Sequence, residues 1–212
     1  MITSVPPSIG RRGGAVARMV GRVMLRLLGW RIEGTLPDRP KIVAVVAPHS
    51  SNLDFLIAIG LVFSWNLKVR YIGKKELFRF PMGPIMYWLG GIPVDRKASA
   101  GLLNQVVAEF DRSETVLLGI APEGTRKPGA RWKTGFYWIA KRSGAVVMPV
   151  CLDWSRKVIG LLPAVDPALG TPADDLTRIV RDLSRYPRKD GLMIDPAKAL
   201  GADASSPPPA AE

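Results

Sequence analysis

Short apolar runs alternate with amphipathic segments along most of the chain. Near-continuous runs rich in Val, Ile and Leu predict buried strands at 41–47, 115–121 and 146–152, with weaker strand signals at 68–72, 91–94 and 158–162. Apolar residues at helical spacing predict helices at 14–30, 53–64, 101–112, 134–142 and 174–183, and a short helix or a membrane-facing loop at 80–89. Strands that alternate with helices indicate an α/β fold, a single domain whose mostly parallel or mixed sheet is flanked by helices.

The predicted N-terminal helix has a basic stripe and an apolar stripe. Arg18, Arg22 and Arg26 recur every four residues and therefore share one face. The other side is apolar: Val16, Met19, Val20, Val23, Met24, Leu27 and Leu28. Such a helix can lie in a membrane interface, or it can dock on the protein's own core with its arginines in solvent, and the pattern leaves both open. We expect a membrane-associated segment at 1–34, the main domain at 35–200, and a disordered tail rich in Ala, Ser and Pro at 201–212.

The charge balance is strongly basic. Thirty Lys and Arg against eighteen Asp and Glu give a formal net charge of +12, which favours nucleic acid, anionic lipid or phosphorylated substrates as partners. The basic residues are scattered, and no P-loop, zinc-finger or aromatic RNA-binding signature occurs, so we expect no nucleic-acid partner. The charge alone still leaves open a basic nucleic-acid or anionic-membrane binding protein without catalysis.

The cysteine content and the apolar segments bear on metal binding, on membrane spanning and on secretion. The lone cysteine, Cys151, lies in an apolar run and is expected to be a small buried side chain, and one His with one Cys argues against a zinc site. No uncharged stretch reaches the roughly 18 residues that a spanning helix needs. Arg18 and Arg22 interrupt the signal-like N-terminus, so secretion is not expected.

His49 is the single histidine of the chain, and it follows a predicted buried strand and precedes a predicted helix. Functional groups of α/β sheets commonly lie just beyond the carboxyl ends of strands. A neutral imidazole accepts a proton near pH 7, and Asp54, five residues on, can hold its other nitrogen protonated. Ser51-x-x-Asp54 also matches a helix capping box, in which Asp54 would only stabilise the start of the helix. The spacing leaves both roles of Asp54 open.

Two more polar clusters follow predicted strands. Arg96 has the planar guanidinium that suits phosphate. Gly124 lets the backbone approach a ligand closely, and Thr125 and Arg126 can donate hydrogen bonds to phosphate oxygens. Glu123 can accept from a hydroxyl or fix an arginine. Taken singly, each cluster also matches an ordinary charged surface turn. Because strand ends of a parallel sheet gather at one edge, we expect these groups to converge on the histidine.

Four blocks in a fixed order resemble a known family. They are H-x4-D from His49 to Asp54, G-x-x-x-D-R from Gly91 to Arg96, E-G-T-R from Glu123 to Arg126, and the apolar Val147-Met148-Pro149-Val150. Together they are similar to the ordered blocks of the glycerolipid acyltransferases, above all the 1-acylglycerol-3-phosphate (lysophosphatidic acid) acyltransferases and their lysophospholipid acyltransferase relatives. The resemblance covers roughly residues 40 to 165. It implies a glycerolphosphate-acyltransferase-like fold and makes 35–200 an acyltransferase domain.

The resemblance also implies roles for individual residues. His49 would be the general base, and Asp54 would orient it. Acceptor phosphate binding would fall to five residues, namely Arg96, Glu123, Gly124, Thr125 and Arg126. Pro149 would shape the site or contact the acyl donor.

The implied reaction is transfer of a fatty acyl group from an acyl thioester, either acyl-CoA or an acyl carrier protein, to the free hydroxyl of a lysophosphatidic-acid-like lysolipid. The thioester is a co-substrate, so neither a cofactor nor a metal ion is implied. Another lysophospholipid or a lyso-aminolipid remains an alternative acceptor. The protein would act in phospholipid biosynthesis at an anionic membrane, as a peripheral or monotopic protein on the cytoplasmic face.

Overall fold

The computed structural model describes residues 5–94 and 99–201, so Arg96 and residues 202–212 of the predicted tail lie outside the described residues. Its strands are β1 (Arg31–Gly34), β2 (Lys41–Val46), β3 (Val69–Lys74), β4 (Gly91–Val94), β5 (Val116–Ile120), β6 (Val146–Asp153) and β7 (Val158–Leu161). Its helices are α1 (Ala15–Leu27), α2 (Asn52–Ser64), α3 (Gly83–Trp88), α4 (Ser99–Asp111), α5 (Gly135–Ser143), α6 (Pro172–Leu183) and α7 (Pro196–Leu200), with a 3-10 helix at Lys75–Phe78.

The strands form one mixed sheet in the order β1-β7-β6-β2-β5-β3-β4. The pairs from β6 across to β4 are parallel, whereas β6 and β7 are antiparallel and β1 runs parallel to β7. The predicted α/β fold with a mixed sheet is therefore confirmed. Because β2, β3, β5 and β6 run in the same direction, the loops that follow them open at one edge of the sheet, which we call the site edge.

Both faces of the sheet are covered, which explains the near-continuous apolar runs of its central strands. Leu25, Trp30 and Ile57 pack with one set of strand side chains, so α1 and α2 cover one face. Phe110, Phe136, Tyr137, Ile179 and Leu183 pack with the other set, so α4, α5 and α6 cover the opposite face. All eight residues of β6 are buried, because this strand lies in the middle of the sheet between the two helical layers.

Helix α1 docks on α2 at Gly21 and Leu25, whereas most of its apolar stripe points away from α2. A Cβ added at Gly21 would clash with the backbone nitrogen of Ser64 and lie 2.8 Å from the carbonyl oxygen of Gly60, so the two helices meet backbone to backbone. The apolar stripe stays exposed, at Val16, Met19, Val20, Val23 and Leu27. The arginine stripe is exposed as well. The helix is thus docked on the core with its arginines in solvent, and its apolar stripe also faces outward. Its position in a membrane interface stays a prediction.

The tight turn between β6 and β7, residues 154–157, lies at the site edge and contacts the end of α1. Lys157 adopts a left-handed backbone conformation at φ 52°. Its Nζ donates a hydrogen bond to the carbonyl oxygen of Leu28 at 3.3 Å, and its own carbonyl accepts from the Arg31 N–H at 3.0 Å. The turn thus joins the antiparallel strand pair to the junction between α1 and β1. No helix within the described ranges is both long and apolar enough to cross a membrane.

Candidate active site

His49 lies just beyond the end of β2, at the site edge. Its Nδ1 is 3.1 Å from Oδ2 of Asp54. The His49 side chain is 22% exposed, whereas that of Asp54 is 1% exposed. The imidazole is therefore in contact with a buried carboxylate through one nitrogen, and the His49 side chain is partly exposed.

Asp54 takes part in the helix cap and also contacts His49, and its role as the partner of a catalytic base stays a prediction. Ser51 is the N-cap of α2, and a capping box is present, with the Ser51 side chain accepting from the Leu53 N–H at 3.1 Å. Asp54 Oδ2 accepts the backbone N–H groups of Ser50 at 2.6 Å and Ser51 at 2.7 Å. The same capping geometry turns the carboxylate toward His49. Oδ1 accepts the indole N–H of Trp154 at 3.1 Å, a contact that the sequence did not predict.

Glu123 supports the loop that carries His49. It follows β5, is buried, and accepts the backbone N–H of His49 on Oε1 at 2.8 Å. Its Oε2 lies 3.3 Å from Nη1 of Arg188. Burial raises the pKa of Glu123, and the His49 N–H and the Arg188 guanidinium oppose that rise. Of its two predicted uses, Glu123 fixes an arginine in this structure, and contact with the acceptor stays a prediction.

Arg188 is the residue that completes this network, and its side chain is only 3% exposed. Besides Glu123, it donates to the carbonyl oxygen of Arg126 through Nη2 at 2.7 Å, and its Nε donates to Asp190 at 3.1 Å. It thereby ties the segment after α6 to the loop after β5 and, through Glu123, to the loop that carries His49. Its place in the site was not predictable from the sequence, because Arg188 lies in a charged stretch after α6 whose pattern is that of any surface loop.

The E-G-T-R loop presents its remaining residues at the site edge. Gly124 has a positive φ of 60°, a conformation that favours glycine. Thr125 Oγ1 accepts the Lys127 N–H at 3.3 Å, and the Arg126 side chain is exposed. A Cβ at Gly124 would be 3.9 Å from Nζ of Lys133, so a second cation accompanies this loop. Two cations, Arg126 and Lys133, thus accompany the loop whose Glu123 accepts the His49 N–H, whereas Arg96 lies outside the described residues.

The burial and position of the lone cysteine and of the possible metal ligands decide whether they are further reactive groups. Cys151 is fully buried, and burial raises the pKa of its thiol to about 11. Within residues 5–94 and 99–201, no group of three or more His, Cys, Asp and Glu side chains is placed to hold a metal ion.

Comparison with known proteins identifies the group to which this arrangement belongs. The family model described as Acyltransferase matches residues 31–153, more than half of the chain. The chain belongs to the acyltransferase family. The resemblance seen in the four sequence blocks is thereby confirmed. The matched range of this acyltransferase contains His49, Asp54, Glu123 and Arg126, but neither Trp154 nor Arg188.

Relatives with assigned names point in the same direction. The acyltransferase is 31% identical over 153 residues to the 1-acyl-sn-glycerol-3-phosphate acyltransferase of Escherichia coli (strain K12), an alignment that covers 68% of this chain and 60% of that one. It is 29% identical over 157 residues to the protein of the same name from Haemophilus influenzae (strain ATCC 51907 / DSM 11121 / KW20 / Rd), covering 70% and 64%. The chain thus spans less than two thirds of the length of these two curated relatives.

A solved structure supports the fold. The 1-acyl-sn-glycerophosphate (LPA) acyltransferase PlsC from Thermotoga maritima superposes with a TM-score of 0.60 at 21% sequence identity. The match covers 80% of this acyltransferase and 76% of the solved chain. At that identity the likeness concerns the fold alone.

Proposed function

We propose that this acyltransferase moves a fatty acyl group from an acyl thioester to the free hydroxyl of a lysophosphatidate-type acceptor, with His49 as the general base. The names of the relatives support the acceptor class. The observation that carries the mechanism is the position of His49, whose Nδ1 lies 3.1 Å from the buried Asp54 while its ring is partly exposed. With the Nδ1 proton held by the carboxylate, Nε2 is the free acceptor nitrogen.

The chemistry requires one proton to move in each direction. His49 Nε2 takes the proton of the acceptor hydroxyl as its oxygen attacks the thioester carbonyl carbon. The tetrahedral intermediate then collapses, the carbon–sulfur bond breaks, and the imidazolium returns the proton to the departing thiolate. The products are an ester and a free thiol, and Asp54 stabilises the transient imidazolium. Acyl-CoA and an acyl carrier protein both supply such a thioester.

The acceptor phosphate is assigned to the basic E-G-T-R loop. Arg126 lies in the same loop as Glu123, which accepts the His49 N–H, and its side chain is exposed. A phosphate bound by Arg126 would therefore lie on the same edge of the sheet as the base. The fork of a guanidinium can bind phosphate through two parallel hydrogen bonds. Gly124 and Thr125 would add backbone and hydroxyl donors, and Arg96 is proposed as the second arginine of the clamp.

Arg126→Ala is expected to raise KM for lysophosphatidate about tenfold or more with little change in kcat, since a hydrogen bond to a charged group contributes roughly 1.5–3 kcal/mol. Steady-state kinetics with lysophosphatidate and with monoacylglycerol, which lacks the phosphate, test this. Only the KM for the phosphorylated acceptor should rise. Arg112→Ala, at an exposed arginine directly after α4 and remote from the site edge, is the matched control. If Arg126→Ala leaves the lysophosphatidate KM at the wild-type value, Arg126 does not bind the phosphate.

An exposed apolar surface accompanies the site edge. It consists of the outward stripe of α1 together with Leu77, Phe80, Met82, Ile85, Tyr87 and Trp88. The segment after β3 leaves the sheet at the site edge, and its Phe80 is 91% exposed. The guanidinium of Arg12 lies 5.1 Å from the Trp88 ring centroid, so positive charge borders the apolar surface. We propose that this surface rests on an anionic membrane, on which the protein is peripheral or monotopic at the cytoplasmic face.

Phe80→Asp is expected to weaken binding to vesicles containing phosphatidylglycerol about tenfold, because burying a phenylalanine contributes roughly 1.5–3 kcal/mol. Cosedimentation with vesicles measures the partition coefficient. Leu169→Asp is the matched control, since Leu169 is 86% exposed but follows β7, which runs opposite to the central strands and ends at the other edge. Equal losses from both variants, or none from Phe80→Asp, would rule out this surface.

The reaction itself is tested with purified protein and a labelled acyl thioester. One donor is offered with lysophosphatidate, another lysophospholipid, a lyso-aminolipid and monoacylglycerol, and acyl-CoA is then compared with acyl carrier protein on the best acceptor. We expect the highest kcat/KM with lysophosphatidate. A clear preference for a lyso-aminolipid would keep the chemistry and replace the acceptor, whereas no ester product from any acceptor would overturn the proposed function.

A further inference from the structure

Trp154 is the first residue after β6 and lies next to the catalytic pair. Its Nε1–H donates to Oδ1 of Asp54 at 3.1 Å. That oxygen is the one not facing His49, whose Nδ1 is near Oδ2. Trp154 also lies just outside the segment 31–153 that the family model matches. The indole is therefore a feature of this chain beyond the four sequence blocks.

In the described part of the chain, the other contacts of the Asp54 carboxylate involve only one of its two oxygens. The backbone N–H groups of Ser50 and Ser51 and the ring of His49 all approach Oδ2. An aspartate has a broad preference for its second side-chain torsion, so three partners on one oxygen still allow the carboxylate plane to turn. A donor on Oδ1 fixes that plane and, with it, the direction of the lone pair that meets His49 Nδ1.

The indole ring itself is held from two sides. Trp30, which is buried between α1 and β1, meets it edge to face with ring centroids 5.1 Å apart and an interplanar angle of 87°. The ammonium of Lys189 lies 5.0 Å from the Trp154 ring centroid, and the Lys189 backbone N–H donates to Ser50 Oγ at 3.1 Å. Such contacts limit the rotation of the ring, so the N–H stays aimed at the carboxylate.

We propose that Trp154 is a positioning residue of the acyl-transfer reaction: by fixing the plane of the Asp54 carboxylate, it keeps the proton of His49 on Nδ1 and leaves Nε2 free to accept the proton of the substrate hydroxyl. This role rests on the proposed function of His49 as general base. Trp154 acts through Asp54 and takes no part in the chemistry.

The chain offers a close control in Trp138 on α5. Like Trp154, Trp138 is half-buried, meets another ring edge to face (Tyr137, centroids 5.7 Å apart), and has an ammonium near its ring, that of Lys141 at 5.8 Å. The Trp138 indole N–H, however, has no hydrogen-bond partner among the described residues. Trp→Phe at the two positions therefore removes the same group, but it breaks a hydrogen bond to a carboxylate only at Trp154.

Trp154→Phe is expected to lower kcat about tenfold or more, the contribution usual for a hydrogen bond to a charged group, with both KM values unchanged. Trp138→Phe should keep the wild-type kcat. Thermal unfolding of both variants separates this effect from a general loss of structure. If kcat of Trp154→Phe equals that of Trp138→Phe, or falls only in proportion to the folded fraction, the positioning role is wrong.

A spectroscopic measurement tests the same proposal without turnover. Because His49 is the single histidine, protein grown with histidine labelled with 15N in the ring gives NMR signals from this ring alone. At a pH where the ring is neutral, we expect a protonated Nδ1 and a bare Nε2 in the wild type and in Trp138→Phe. In Trp154→Phe the Nδ1-protonated fraction should fall, as it should in Asp54→Asn. An unchanged spectrum in Trp154→Phe would overturn the proposal.

His49→Ala distinguishes a failure of the proposed general base from a failure of the proposed role of Trp154. If His49→Ala loses turnover while Trp154→Phe keeps both its kcat and its 15N spectrum, the general base stands and the role of Trp154 falls. If His49→Ala keeps wild-type turnover, the proposed base falls, and the role of Trp154 falls with it. Loss of turnover in His49→Ala, together with a lower kcat and a shifted tautomer in Trp154→Phe, supports both.

Discussion

His49→Ala is expected to lower kcat for transfer to lysophosphatidate by about 10²- to 10⁴-fold, the range that general-base catalysis usually contributes. The KM values should change little, because the ring is anchored on Asp54 and the basic loop that is proposed to bind the phosphate remains in place. Single-donor kinetics with a labelled acyl thioester measure this. Since the ring is partly exposed, added imidazole should enter the space it leaves and restore part of the rate.

His49 and Asp54 should also behave as one catalytic unit. Asp54→Asn is expected to reduce kcat, but combining it with His49→Ala should cost little beyond His49→Ala alone, since effects of residues that act together are strongly non-additive. Additive losses would mean that Asp54 acts only through the capping box of α2. Wild-type turnover in His49→Ala would exclude the general-base role altogether.

Arg188→Met is expected to lower the free energy of unfolding by about 3–5 kcal/mol, as is usual when one partner of a buried ion pair is removed. Glu123 would stay buried without its guanidinium, and the link to the Arg126 carbonyl would be lost. Urea unfolding measures the loss. Arg178→Met, at an exposed arginine on α6, is the control and should change stability by no more than about 0.5 kcal/mol.

The loss from Arg188→Met should depend on pH in a defined direction. Burial raises the pKa of Glu123 in the folded state, and Arg188 opposes that rise, so removing Arg188 raises this pKa further. A carboxyl group with a raised folded pKa binds its proton more tightly in the folded than in the unfolded chain. Its cost is complete above the folded pKa and is relieved as the pH falls toward the unfolded value of about 4.3.

The destabilisation by Arg188→Met should therefore be larger at pH 7.5 than at pH 5.5. Unfolding curves of wild type and variant at both values give the comparison. A loss that is equal at the two pH values, or larger at the lower one, would mean that Glu123 does not titrate as its burial requires.

Short stretches of sequence were sufficient to predict the central strands and the contact within the loop after β2. The apolar runs predicted β2, β5 and β6 because strands covered on both faces need apolar residues throughout. The approach of Asp54 to His49 was also predictable, because one helix cap folds the intervening residues back on themselves. β1 was missed, since its four residues include Arg31 and Glu33 and it is defined by its pairing with β7.

Contacts between distant residues were beyond the sequence patterns. Arg188 reaches Glu123 only because the chain after α6 returns to the site edge. Trp154 reaches Asp54 only because β6 pairs directly with β2, and the strand order of a sheet is not encoded in any one segment. The docking of α1 did leave a signal, since Gly21 in that helix and Gly60 in α2 allow close approach of the two backbones.

The turn at 154–157 limits where this protein can accept inserted residues. Surface turns usually accept insertions, because their residues are solvated and make few contacts. This one carries Trp154 at its start and Lys157 at its end, and the two are tied to Asp54 and to the end of α1, respectively. One added residue would move at least one of these contacts. We therefore expect the length of this exposed turn to be constrained, and insertions or fusions to be better tolerated in the loops at the opposite edge of the sheet.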